Sequence, residues 1–147
     1  MDRKALAAAM VEALMQAPES VLRREVSQQG RGLPGSVTIR LVDDQEIADL
    51  NARYLGKIGP TDVLAFPMFD SDPRSGRLHW GDIVVSVQTA ARVAGELGIP
   101  ETEEVLRYIL HGFLHLIGYD DADAEGRKRM MLVQERLVRL IAGKGSR

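Results

Sequence analysis

The chain has 147 residues, 45% hydrophobic and 27% charged, with a formal net charge of −2, a pI near 5.9 and no cysteine. That length fits one domain, expected over 1–147, and the lack of thiols excludes a disulfide framework and thiolate–metal sites and suits a reducing compartment. The slightly acidic balance argues against a dedicated nucleic-acid binder but leaves room for a local basic groove.

In chain order, Leu6, Met10, Ala13 and Leu14 recur at three- and four-residue steps and predict an amphipathic helix over 3–16. Glu12 and Gln16 interrupt it, so it is a poor signal peptide, and no stretch approaches the ~20 apolar residues of a membrane span. A cytoplasmic protein is expected. Pro18 ends the helix or begins the next, and Val21, Leu22, Glu25 and Val26 suit a short second helical turn. The segment 28–35, with Gly30, Gly32, Pro34 and Gly35, reads as a loop.

Val37, Ile39 and Leu41 alternate with Thr38, Arg40 and Val42 as a half-buried strand. Asp43 and Asp44 can cap the next helix, whose inner face would carry Ile47, Leu50 and Tyr54. Val63–Phe69 suits a second strand, residues 70–81 are turn chemistry, and Asp82–Val87 suits a third strand in a hairpin with the second. Within the turn stretch, His79 beside Trp80 reads as a solvated loop histidine. A helix over 87–97 should stop at Gly98.

Glu101, Glu103 and Glu104 favour a helix N-terminus. Val105, Leu106, Ile109, Leu110, Phe113, Leu114 and Leu116 then make that helix apolar over most of its circumference, hence central, with its end at Gly118. A last helix is expected from about Asp123 to Ile141 with Met130, Val133, Leu137 and Leu140 as its buried stripe. Arg127, Lys128, Arg129, Arg136 and Arg139 read as its solvated face, or as the rim of a basic groove. The expected fold is α+β: a small mixed sheet of three to four strands covered by about five helices, with a metal site on the central helix.

The chemistry is concentrated in 111–121, His-Gly-Phe-Leu-His-Leu-Ile-Gly-Tyr-Asp-Asp. Residues i and i+4 share a helix face with Cβ atoms about 5–6 Å apart, so His111 and His115 can direct nitrogens at one divalent ion, zinc first among candidates. Gly118 can adopt the positive φ that turns the chain back toward it, which makes Asp120 or Asp121 the next possible ligand. Helical metalloproteases carry His, Glu, His, Gly and a third ligand at this spacing. Here His111, His115, Gly118 and Asp121 fit four of those places, but Gly112 stands where the protease keeps its general base. The spacing supports a metal held by His111, His115 and Asp121, and disfavours peptidase chemistry. Asp120, Asp121 or Asp123 could instead be the N-cap of the last helix. Thr61 and Asp62 read as turn caps or as cleft residues.

The same motif resembles the YbeY family of bacterial rRNA-maturation endoribonucleases, whose hallmark is His-Gly-x-Leu-His-Leu-x-Gly-Tyr-Asp-His. Two further blocks are similar: 51–67 (NARYLGKIGPTDVLAFP) and Gly81-Asp82-Ile83-Val84-Val85-Ser86, and the resemblance covers about 36–141. Asp121 stands where the family has a third histidine, Leu55 where it has an arginine and Ile58 where it has an aspartate. The family's strand ahead of the first helix has no obvious counterpart.

The resemblance implies a metal-dependent hydrolase, one divalent ion per chain, that cuts single-stranded RNA in small-subunit rRNA maturation and ribosome quality control. Its partners would be small-subunit rRNA and ribosomal proteins, with neither DNA nor a membrane. No general base is evident, so a water activated by the ion or the RNA's own 2′-hydroxyl would attack, and Arg53, Lys57 and Asp62 are the possible cleft residues. The rival readings are a non-catalytic ribosome-assembly factor with a structural metal and a metallopeptidase.

Overall fold

The computed structural model describes residues 35–71, 73–74, 78–116, 118–119 and 121–142. The helices expected over 3–16 and 21–26 lie outside these residues. In chain order the described elements are β1 (Gly35–Val42), α1 (Asp44–Leu50), a π-helical turn (Asn51–Leu55), β2 (Val63–Ser71), β3 (Leu78–Ser86), α2 (Val87–Leu97), α3 (Glu101–Leu116) and α4 (Ala124–Ile141). The expected α+β class is therefore present, with three strands and four α-helices among the described residues.

The strand order is β1-β3-β2, with β1 parallel and β2 antiparallel to β3, so the sheet is mixed. Strand side chains alternate between faces, and the register sorts them cleanly. Ile39, Ile83 and Ala65 lie opposite one another, as do Leu41, Val85 and Val63, and all six join the main core. Val42, Leu64, Val84 and Phe66 point the other way, where Ile47 and Leu50 of α1 meet them. On the main face α3 packs against β2, β3, α2 and α4. All seven apolar residues predicted to make α3 central are buried.

Local chemistry sets the helix ends. Asp43 is the N-cap of α1, its side chain accepting from the Glu46 N–H at 2.8 Å, and Ser86 caps α2 through the Thr89 N–H. Gly98 closes α2 at φ 69°, the left-handed conformation that costs glycine least.

Three expectations need correcting. Tyr54 does not face inward; it is 61% exposed, and Asn51 occupies the buried position instead. The cause is the π turn, whose wider i→i+5 spacing changes the helical phase after Leu50. The stretch 70–81 is less of a loop than its composition suggests, because strand pairing runs through Ser71 and resumes at Leu78. Burial explains part of this: Trp80 is fully buried and stacks on Phe113 of α3 with centroids 5.2 Å apart, which draws the strand inward. An irregularity between Pro67 and Asp70, with Phe69 at φ 52°, accommodates the extension. Finally, Leu140 is exposed, and the buried positions of α4 are Met130, Gln134, Leu137 and Val138.

Candidate metal centre

The site begins with α3. His111 and His115 lie one turn apart at its C-terminal end, with Nε2 atoms 3.2 Å apart. Their neighbours Gly112 and Leu116 are buried. At Gly112, between them, α3 lies so close to the sheet that a side chain would displace its neighbours. A Cβ on Gly112 would lie 2.8 Å from Ile83 Cγ2 and 3.2 Å from Val63 Cγ2. The position that would carry a protease's general base is thus spent on packing, which removes the structural basis of the peptidase reading.

Past Leu116 the chain reverses. Gly118 has φ 108°, its N–H donates to the His115 carbonyl at 3.1 Å, and the Tyr119 N–H donates to Leu114 at 3.0 Å. Those bonds satisfy carbonyls left open at the helix end, and Tyr119 packs against the core. The reversal brings the Asp121 Oδ2 to 3.6 Å from His115 Nε2. One donor atom from each of His111, His115 and Asp121 falls within 4.8 Å of the others. Asp120 lies outside the described residues.

Of the competing uses of these aspartates, the helix cap belongs to Asp123, whose side chain accepts from the Gly126 N–H at 2.6 Å. Asp121 is left to the histidines. Its backbone carbonyl accepts from Arg127 Nη1 at 3.2 Å, which fastens the loop to α4.

This donor set suits a divalent ion. Two nitrogens at about 2.0–2.1 Å from a tetrahedral zinc sit about 3.3–3.4 Å apart, close to the 3.2 Å between the two Nε2 atoms. A carboxylate is an acceptable third zinc ligand. His115 and Asp121 are 32% and 45% exposed at their side chains, so the position opens to solvent and a substrate can reach it.

Behind His111 lies a polar chain that the sequence reading did not find. His111 Nδ1 meets Gln134 Oε1 at 2.7 Å, and Gln134 Nε2 donates to Glu135 Oε2 at 3.1 Å. Glu135 is held by Arg107 in two hydrogen bonds, Nε to Oε2 at 2.8 Å and Nη2 to Oε1 at 3.0 Å. That guanidinium holds the Glu135 carboxyl below its ordinary pKa, and Glu135, with Glu104 and Glu103, in turn raises that of Arg107. The available signal was Gln134 itself, a polar residue four places after Met130 and three before Leu137 on an apolar stripe, where burial demands a partner.

The remaining candidates are not drawn into this group. His79 is in β3 rather than a loop and pairs with Asp82 at 3.2 Å. Asp62 accepts from the Val63 N–H at 2.8 Å and from Thr61 Oγ1 at 3.3 Å, the turn-cap use. Arg53 and Lys57 are exposed, the first in the π turn and the second just beyond it. Leu55 and Ile58 are 48% and 101% exposed.

Comparison with known proteins places this geometry in context. Residues 2–142 match the family model described as Endoribonuclease YbeY. Proteins named Endoribonuclease YbeY from Pelotomaculum thermopropionicum and Moorella thermoacetica are 39% and 38% identical, over 88% and 92% of this chain and 85% and 90% of theirs. A relative of the same name from Persephonella marina is 40% identical over 65% of this chain, and the match spans 62% of that protein's length, under two thirds. The solution structure of a Thermotoga maritima protein superposes with a TM-score of 0.59 at 29% identity, covering 93% of this chain and 84% of that one.

Proposed function

The chain belongs to the Endoribonuclease YbeY family, and on that premise we propose that it is a metal-dependent endoribonuclease acting on single-stranded RNA in small-subunit rRNA maturation and ribosome quality control, in the cytoplasm. The observation that carries this reading is the convergence of His111, His115 and Asp121 within 4.8 Å at a solvent-open helix end. We assign these three as ligands of one divalent ion, zinc by the chemistry of its donors. When bound, such an ion polarises a phosphate oxygen or lowers the pKa of a water toward about 7.

The protein's own residues supply the rest. The rigid α3 presents both imidazoles on one face, and the Gly118 reversal delivers the carboxylate to them. Arg53 and Lys57, exposed around the π turn, are the proposed phosphate contacts, and Asp62, already used as a turn cap, is the third residue of that cleft. Among the described residues no side chain stands out as a general base, so the proposed attacking oxygen is a water or the RNA's own 2′-hydroxyl. Ribosomal RNA and ribosomal proteins are the proposed partners.

One observation favours a second reading. Leu55 cannot donate to a phosphate where the family has an arginine, and a non-catalytic assembly factor that keeps its metal would tolerate that loss. The test is cleavage of a single-stranded RNA by wild type, Leu55→Arg and His115→Ala, each in chelator and with added zinc. Metal-dependent cleavage by wild type that His115→Ala abolishes is expected. Cleavage surviving both chelator and His115→Ala would be contaminating nuclease, and none by wild type or Leu55→Arg would establish the assembly-factor reading instead.

A further inference from the structure

We propose that Gln134, itself set by Glu135 and Arg107, is a positioning residue that fixes His111 as its Nδ1–H tautomer and so keeps the Nε2 lone pair aimed at the metal position before an ion arrives. The inference rests on the metal-site reading above, but its logic runs through hydrogen bonds among the protein's own residues.

The direction of the chain is set at its far end. Arg107 has donors only, and three of its nitrogens are committed to carboxylates: Nε and Nη2 to Glu135, Nη1 to Glu104 at 2.8 Å, and Nη2 also to Glu103 at 3.2 Å. Glu135 beside that guanidinium is a carboxylate and can only accept. It therefore takes an N–H from Gln134, and the same amide nitrogen also lies 3.7 Å from Met131 Sδ. Both amide hydrogens are thereby oriented away from His111, and the Gln134 carbonyl is what remains to face Nδ1 at 2.7 Å. A carbonyl cannot donate, so Nδ1 must carry the proton, and a neutral imidazole with Nδ1–H has its lone pair on Nε2.

Two further observations agree. Gln134 is 4% exposed, so water cannot readily substitute for its carbonyl. The Nε2–Nε2 contact of 3.2 Å between His115 and His111 also needs an acceptor on one side, which a His111 with Nδ1–H supplies. Flipping the Gln134 amide would set its oxygen against the Glu135 carboxylate and its N–H groups against His111. Partners that orient a metal-binding histidine in this way are typically worth about 10–100-fold in metal affinity.

The test reads the tautomer directly. Long-range ¹H–¹⁵N spectra of chelator-treated wild-type protein at pH 8.5 should show His111 with the Nδ1–H pattern. Gln134→Met keeps the volume and removes the acceptor. It should release His111 to populate the Nε2–H form and weaken zinc binding about 10–100-fold in competition with a chelator. Wild-type His111 found as Nε2–H overturns the proposal without any variant. So does a folded Gln134→Met protein with both tautomer and zinc affinity unchanged. Should Gln134→Met not fold, the wild-type spectrum alone decides. The metal site fails separately, if wild-type protein takes up no zinc whatever its tautomer.

Discussion

Leu55 stands where the motif of the resemblance has an arginine. It is half exposed in the π turn next to Tyr54, which packs edge-on against Phe66 at 5.7 Å. Truncating one donor aimed at developing charge typically costs about 10²–10³ in rate. Supplying a guanidinium through Leu55→Arg should therefore raise RNA cleavage, by at least about tenfold even if its geometry recovers only part of that effect. Equal cleavage by the two proteins would mean that Leu55 does not face the scissile phosphate. Asp121→His probes a different quantity. A third imidazole leaves the ligand set neutral and the ion more positive, which lowers the pKa of its water. The acidic limb of the pH–rate profile should move to lower pH, with zinc still bound. Retained zinc and an unmoved profile would remove Asp121 from the ligand set. The histidine pair was legible in the sequence because helical spacing is fixed. The spacing pointed to Asp121 as well, and the observed cap on Asp123 removes that residue as a competitor.

The same substitution should have opposite signs on two helices. In α2, Gly95 is exposed and a Cβ there would meet nothing within 4 Å, so Gly95→Ala should stabilise by about 0.5–1 kcal/mol through helix propensity. In α3, a Cβ at Gly112 would meet Ile83 Cγ2 at 2.8 Å, and overpacking of about 1–3 kcal/mol should outweigh that gain and lower the denaturation midpoint. Stabilisation of both would refute the close approach of α3 to the sheet. Between elements, Asp44 clamps the start of α1 to that of α2, accepting from Ser86 Oγ at 2.5 Å and Thr89 Oγ1 at 2.7 Å. Those two hydroxyls, with Arg92 adding to them, hold the Asp44 carboxyl below its ordinary range. A depressed folded pKa gives stability that is present above the unfolded pKa of about 3.9 and is lost as pH falls through the folded value. Asp44→Asn should therefore be less stable than wild type at pH 7, and the gap in urea midpoint should narrow toward pH 3. A gap independent of pH would assign the loss to packing. The strands, the Gly98 stop and the Gly118 turn were readable from periodicity and backbone chemistry. The π turn, the length of β3 and the partner of Gln134 were not, because each depends on contacts with other elements.

For the whole molecule the question is how a chain of net charge −2 holds a polyanion. Its long-range field is repulsive, but exposed charges are screened beyond a Debye length of about 8 Å at physiological salt, so a local cluster can still dominate. Arg53 and Lys57 flank the end of the π turn, and Arg127 of α4 touches the Asp121 carbonyl beside the proposed metal position. Opposite salt effects distinguish local contacts from the global field. If these residues neutralise phosphates, single-strand affinity falls with salt with a slope near −0.7 per contact, so three contacts lose roughly 20-fold between 50 and 200 mM. If the global field dominated, added salt would screen repulsion and binding would tighten. We expect the first behaviour, measured by fluorescence anisotropy on a labelled single-stranded RNA. Lys57→Gln, exposed and remote in sequence from the histidines, should make the slope shallower by about 0.7 while leaving zinc affinity unchanged. Binding that strengthens with salt would put the global field in control, and a slope that Lys57→Gln leaves intact would place the RNA on another surface.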